Sequence, residues 1–465
     1  MKKSGTSQFS PQDIADRDPS SPGLYRRLIG LAMPIMSANL LQMLYNLVDS
    51  FFLGRLGPAA VSAPAISFNL IFFVAVFGMA FSSAGTTLIA QSKGKRDQEK
   101  VDFYLGQMMF LGIAMSVLAA VIGVSASRPI LQLLHVPADA FEYTNQYLTI
   151  IFAGLPLVFI SFLMQGAMQG IGNSVTPLII KIISVCLNVI LDPLLIFGIG
   201  IFPRLEVAGA AIATITAQGV ASLAALYILL RGRRGMKLRW RNLRPQKRAV
   251  RLILRIALPS SIGQGVSALG FTVLQGVVNS LGTAVIAAFG IGGRIIGLFN
   301  MPAIGFSRAT AALVGQSLGM RRKDQAVRVV RMSVLTVLVF ISAGMTLTFF
   351  YGNYFIRFFV DDPEVIRVGA TMFRIISVSV IPFALFTVIM GAFEGAGDTK
   401  PVMFLHVFRL WGVRVPLATV LISLAGIGAL GIWWAMFASN ILTAAIGFLI
   451  LSRGSWLHKL DPEEV

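Results

Sequence analysis

The stretch LAMPIMSANLLQMLYNLVDSFFLGRLG, Leu31 to Gly57, decides how the chain is read. It is apolar over more than the roughly 20 residues that cross a bilayer. Yet it carries Asp49 well inside the apolar run. A carboxylate at such depth costs about 2.5–3.5 kcal/mol on the biological insertion scale. A chain that keeps one there usually uses it on an ion, a proton or a substrate. Pro34, near the start of the same run, frees a backbone carbonyl one turn earlier and supplies a hinge.

The rest of the chain has the same character. Of 465 residues, 56% are hydrophobic and only 13% charged, with a mean hydropathy of +0.78. A soluble domain carries about 25% charged residues. Twelve apolar segments read as membrane helices: 28–53, 60–90, 103–126, 143–168, 175–198 and 207–230, then 252–279, 284–314, 327–351, 368–393, 401–424 and 428–452. Gly, Pro and charged residues separate them. The expected fold is therefore an all-α integral membrane protein of twelve spans.

The net charge of +19 sits mainly between the spans. Alternate connections are basic: Lys93, Lys95, Arg96 and Lys100; then RGRRGMKLRWRNLRPQKRAVR at 231–251; then Arg321, Arg322 and Lys323. The other connections hold little more than Arg55, Arg128, Arg204 and Arg357. The positive-inside rule puts the basic set, and both termini with it, in the cytoplasm of a multi-pass inner-membrane protein. Nucleic acid is not an expected partner, and 231–251 reads as a linker that fixes topology. The polar N-terminal tail, 1–24, has no apolar h-region of a signal peptide. The lone Cys186 excludes an intrachain disulfide, and with His135, His406 and His458 it makes a structural zinc site unfavourable.

The two halves repeat. An offset of 225 residues places Pro34 on Pro259, Gly57 on Gly282, Gln91 on Gln316 and Gly94 on Gly319. It also places QGAMQGIGNSVTP (165–177) beside MGAFEGAGDTKP (390–401). Six spans separate the copies, so both have one orientation and the relation is a twofold along the membrane normal. The expected domains are an N-lobe, 25–230; the basic linker, 231–251; a C-lobe, 252–452; and a short tail, 453–465.

The scaffold repeats, but the polar residues do not. Asp49 falls on Leu274, Gln42 on Ser267 and Tyr45 on Gly270. In KIISVCLNVILDPLLIFG, Asn188 and Asp192 stand four apart and share a helix face. The corresponding span of the second half carries Arg409 and Arg414 instead. Two carboxylates with amide and hydroxyl oxygens nearby are hard ligands, suited to Na⁺ or a shared proton and unsuited to a soft metal. If the two couple, they titrate as a pair, and a cation that relieves their repulsion supplies the energy to favour one conformer over another.

At these residues the chain resembles the multidrug and toxic compound extrusion (MATE) family, over about 25–452. The carriers are the Pro34…Tyr45-Asn46-x-Val48-Asp49…Leu56-Gly57 pattern, N-x₃-DPLLIFG-x-G at 188–200, GAAIAT at 209–214 and GAGDTKP at 395–401. The first is closest to the DinF-type prokaryotic branch. The resemblance implies a cation site at Asp49, Asn188, Asp192 and a helix-six threonine, Thr214 with Thr216 as alternative. It implies cavity positions at Gln42 and Tyr45 and bending at Pro34. Met33, Met36 and Met43 lie near that cavity and suit promiscuous binding.

The implied function is a Na⁺- or H⁺-coupled antiporter that exports amphipathic or cationic organic compounds by alternating access. It is expected to act as a monomer and to need no cofactor beyond the coupling ion. A flippase for a lipid-linked glycan is the alternative, kept open by Arg294, Arg308, Arg409 and Arg414. A membrane enzyme is disfavoured, because His135, His406 and Cys186 have no orienting partner in sequence.

Overall fold

The computed structural model describes residues 21–232 and 234–460. Most of the expected N-terminal tail, with Lys2 and Lys3, and the last five residues lie outside the described residues.

Hydrocarbon cannot hydrogen-bond backbone groups, so spanning segments close their hydrogen bonds internally as helices. Among the described residues there is no strand. The N-lobe consists of α1 (Ser21–Gly54), α2 (Pro58–Gly94), α3 (Gln98–Leu133), α4 (Ala138–Ala153), α5 (Leu155–Gly170), α6 (Val175–Phe197) and α7 (Glu206–Arg231). The C-lobe consists of α8 (Lys247–Asn279), α9 (Thr283–Gly319), α10 (Lys323–Arg357), α11 (Pro363–Ala396), α12 (Thr399–Val407), α13 (Val415–Ser423) and α14 (Ala429–Ser452). Eleven of these stretches, α12 and α13 counted together, are each long and apolar enough to span a membrane, and α4 with α5 makes the twelfth.

Two spans differ from the uniform helices expected. The segment 143–168 bends by 51° between α4 and α5. Gly154 sits at the break and Pro156 follows it, so the ring removes a helix donor where the chain is most pliable. The segment 401–424 widens into a π turn, Phe408–Arg414, between α12 and α13.

The repeat is visible in atomic detail. Ser82 Oγ donates to Phe162 O and Ser307 Oγ to Thr387 O, each at 2.7 Å, at positions 225 apart. Arg96 and Arg321 close equivalent turns with φ of 60° and 59°.

Each lobe begins inside the other. Leu28, Leu31 and Ala32 of α1 pack in the core of the C-lobe. Their counterparts in α8, Ile253, Ile256 and Ala257, pack in the core of the N-lobe. Past Pro34 and Pro259 the helices return, so that Leu53 joins an N-lobe cluster and Val278 the C-lobe core. The two prolines therefore mark the points where α1 and α8 pass from one lobe to the other.

The linker is not a loose connector. Met236 and Leu238 are buried against the N-lobe core. Asp102, 2% exposed, accepts from the Lys237 backbone N–H at 2.8 Å and pairs with Arg239 at 3.2 Å. Gln107 Nε2 donates to the carbonyls of Asn242 and Arg244 at 2.6 and 2.7 Å, while its Oε1 accepts from Gln246 N at 2.9 Å. Asp102→Ala should lower stability by about 1–2 kcal/mol, because it removes the acceptor of the Lys237 N–H and the partner of Arg239 and leaves a gap where a buried carboxylate sat. The apparent unfolding midpoint in detergent checks this, and Asp102→Asn, which keeps an acceptor, should lose less.

At the end of the molecule that carries the basic loops, the lobes meet. Gln91 Nε2 donates to Gly395 O at 3.2 Å, and its repeat mate Gln316 donates to Gly170 O at 2.9 Å. Thr87 Oγ1 donates to Glu394 O at 2.6 Å, and Ser83 Oγ to Glu394 Oε2 at 2.8 Å. Gly94 and Gly319 make the approach possible. A Cβ on Gly94 would collide with Gln316 O, and one on Gly319 with Gln91 O.

Candidate functional site

The N-lobe site is built from α1, α4, α6 and α7. Asp49 lies on the part of α1 that has returned to the N-lobe, one turn before Leu53, and is 8% exposed. Asn188 and Asp192 face inward one turn apart on α6, at 1% and 0% exposure. Asn188 Nδ2 donates to Asp192 Oδ1 at 3.2 Å, a bond the four-residue spacing makes available. Asp49 and Asp192 act on each other electrostatically, and the hydroxyls of Tyr45 and Tyr147 feel both carboxylates.

Thr214 joins the same group. Its Oγ1 lies 2.7 Å from the hydroxyl of Tyr45. Thr216, the alternative, is exposed and makes no such contact. Among the described residues, three buried acceptors in the cluster find no donor: Asp49 Oδ1, Asn188 Oδ1 and Asp192 Oδ2. Buried polar atoms without partners are uncommon in folded proteins. Unpaired carboxylate and amide oxygens from two helices form a donor set for a hard monovalent cation or a proton.

Gln42, also on α1, is half-buried and accepts a hydrogen bond from Lys181 Nζ of α6. It donates in turn to Asn46 Oδ1 at 3.0 Å, and the Lys181 ammonium stands 5.9 Å from the centroid of the Tyr45 ring. Lys181 thus meets Gln42 on one side and the Tyr45 ring on the other, and the Tyr45 hydroxyl meets Thr214. Met33 is exposed on α1. Met36 is half-buried and lies against Gly305 of α9, at the contact between the lobes. Pro34 sits at the crossing point of α1.

Two members of this neighbourhood had no role in the sequence reading. Tyr147, 9% exposed, looks like any packing aromatic of an apolar span. Lys181 had a signal, since it is the lone cation in the apolar run of α6.

The basic residues of the second half lie in different settings. Arg308 pairs with Glu394 at 3.2 Å. Arg414 donates to Ser439 Oγ at 2.9 Å and to Asn440 Oδ1 at 2.6 Å. Arg294 is exposed on α9. Arg409, 4% exposed, lies among phenylalanine rings.

Comparison with known proteins agrees with this architecture. The chain is 29% identical over 441 residues to the probable multidrug resistance protein NorM of Thermotoga maritima, covering 94% of each. It is 27% identical over 443 residues to the probable multidrug resistance protein YoeA of Bacillus subtilis, covering 94% of this chain and 96% of that one. A solved structure of an outward-facing multidrug resistance MATE family transporter of the MOP superfamily superposes with a TM-score of 0.88. It has 22% identity, covers 94% of this chain and 97% of the other, and bears on the fold alone. The MatE sequence profile matches residues 34–194 and 259–420, one copy in each lobe, and this chain belongs to the MatE family.

Proposed function

We propose that the protein is a cation-coupled exporter of amphipathic or cationic organic compounds, working by alternating access between its lobes. The observation that carries this reading is the enclosed cluster of Asp49, Asn188 and Asp192, with three buried oxygens free of any donor. A structural bundle has no use for two adjacent buried carboxylates, whose desolvation and mutual repulsion oppose folding. A transporter does, because a cation that binds one conformer better shifts the balance between conformers.

The relatives named as multidrug resistance proteins support small-molecule export as the task. Closure of the lobes at the basic end supports an outward-open resting geometry, with that end in the cytoplasm by the positive-inside rule. In this scheme a cation enters from outside at Asp49 and Asp192, releases substrate and resets the cavity inward. Thr214 and Tyr45 complete the ligand shell, and Pro34 lets α1 bend as its charge is neutralised.

Transport in proteoliposomes, with Na⁺ and pH gradients imposed separately, tests the scheme. Movement of a cationic dye should follow at least one of the two gradients and stop when both are collapsed. Dye movement indifferent to both gradients would overturn the coupling.

A further inference from the structure

The C-lobe counterpart of the acidic cluster is basic. Ser439 occupies the position of Thr214 at the 225-residue offset, and it holds Arg414 where the N-lobe threonine meets Tyr45. Asn440 takes the second Arg414 bond and anchors itself on Ser379 Oγ at 2.9 Å. Arg414 is therefore partnered at Nε and Nη2.

Arg409 is not. It lies on the π turn, whose widened geometry recurs at functional sites. Its guanidinium carbon stands 4.8, 5.4 and 5.8 Å from the ring centroids of Phe383, Phe386 and Phe271. A guanidinium carries five N–H donors. Among the described residues Arg409 finds no acceptor and no carboxylate, and its Nε is enclosed without a partner. Arg414 stands 5.7 Å from the same Phe271 ring, so two positive charges share one apolar wall. Aromatic faces return only about 0.5–2 kcal/mol to a cation, whereas an unpaired buried ion loses several. An anion offsets that loss with directed, charge-assisted hydrogen bonds.

We propose that Arg409 is the receptor for an anionic group of single charge, within a phenylalanine cage of α8 and α11. A substrate that engages both the acidic cluster of the opposite lobe and Arg409 is then a zwitterionic amphiphile, cationic end toward the N-lobe and carboxylate toward Arg409. This substrate class rests on the exporter reading above. The anion has two sources, the substrate's own carboxylate or a free halide, and the experiment separates them.

The test uses full-length protein in nanodiscs with a zwitterionic xanthene dye that bears a free carboxylate, and the ethyl ester of the same dye. Wild-type protein should bind the acid about tenfold or more tighter than the ester, the scale of a hydrogen-bonded charge. In Arg409→Gln that ratio should fall to near one. A second arm exchanges chloride for gluconate. If a halide is the anion, binding of both dyes responds to chloride in the wild type and not in Arg409→Gln, which equally supports the site. An acid-to-ester ratio and a chloride response that are both unchanged by Arg409→Gln overturn it. Should Arg409→Gln fail to accumulate, Arg409→Lys is read the same way, since it keeps the charge and loses the planar fork; a several-fold fall in the ratio is expected. Discrimination without gradient-driven export would remove the exporter reading and leave this site. Export of both dyes without discrimination would do the reverse.

Discussion

Asp49→Asn should abolish coupled export and leave the protein as stable as before, or more so. The two halves of that expectation have one cause. The carboxylates of Asp49 and Asp192 act on each other inside a closed cluster, and Asp49 Oδ1 has no donor. A neutral amide removes the repulsion and the desolvation cost of the charge, so folding gains. It also removes a charged ligand from the cation, which weakens cation binding by about 3 kcal/mol or more, roughly a hundredfold. Gradient-driven efflux should therefore be lost while the apparent unfolding midpoint holds or rises, and Asp192→Asn should behave alike. Undiminished export by Asp49→Asn, or a large loss of stability with it, would show that the pair serves structure instead.

Gly319→Val should hold the basic end open. The substitution adds atoms where the Gly319 backbone already touches Gln91 O, and Gly94→Val does the same opposite Gln316 O. Neither glycine has a positive φ, so the cost lies in the approach of the lobes and not in backbone strain. Separating them sacrifices the Gln91–Gly395, Gln316–Gly170 and Thr87–Glu394 bonds. At about 1 kcal/mol net each, their loss shifts the balance between conformers by about two orders of magnitude. Spin labels on Glu99→Cys and Asp324→Cys, exposed equivalents in the two lobes, report the separation once the single native Cys186 is replaced. A longer distance in Gly319→Val with loss of transport is the expected result. An unchanged distance would show that the contact is not a gate.

Much of this was legible in the chain. Asp49 and Asp192 declare themselves because charge inside an apolar run is costly, and Asn188 because a spacing of four fixes a common face. The duplication was legible because landmark glycines and prolines stand where close approach or a turn demands them. Tyr147 was not legible, since an aromatic in a span has the same appearance whether it packs or lines a site. The crossing of α1 and α8 was equally hidden. Apolar residues on all sides of a span report that it is buried, but not which neighbour buries it. The bend at Gly154–Pro156 was written in the residues and not used. Lys181 is a lone cation in its apolar run, a signal for a polar neighbour, but only the fold shows that the neighbour is Gln42.

The exchange of the leading turns of α1 and α8 has a consequence for a lone half of the chain. Leu28 and Ile253 each fill the interior of the opposite unit, so a lone six-span unit would lack part of its own filling. It would complete itself only by trading the leading turns of its first helix with a sister copy, which is the arrangement of a swapped homodimer. Two such sisters joined end to end through 231–251 would hold the trade permanently. A joined pair would also let one copy carry acid, as at Asp49 and Asp192, and the other base, as at Arg409 and Arg414.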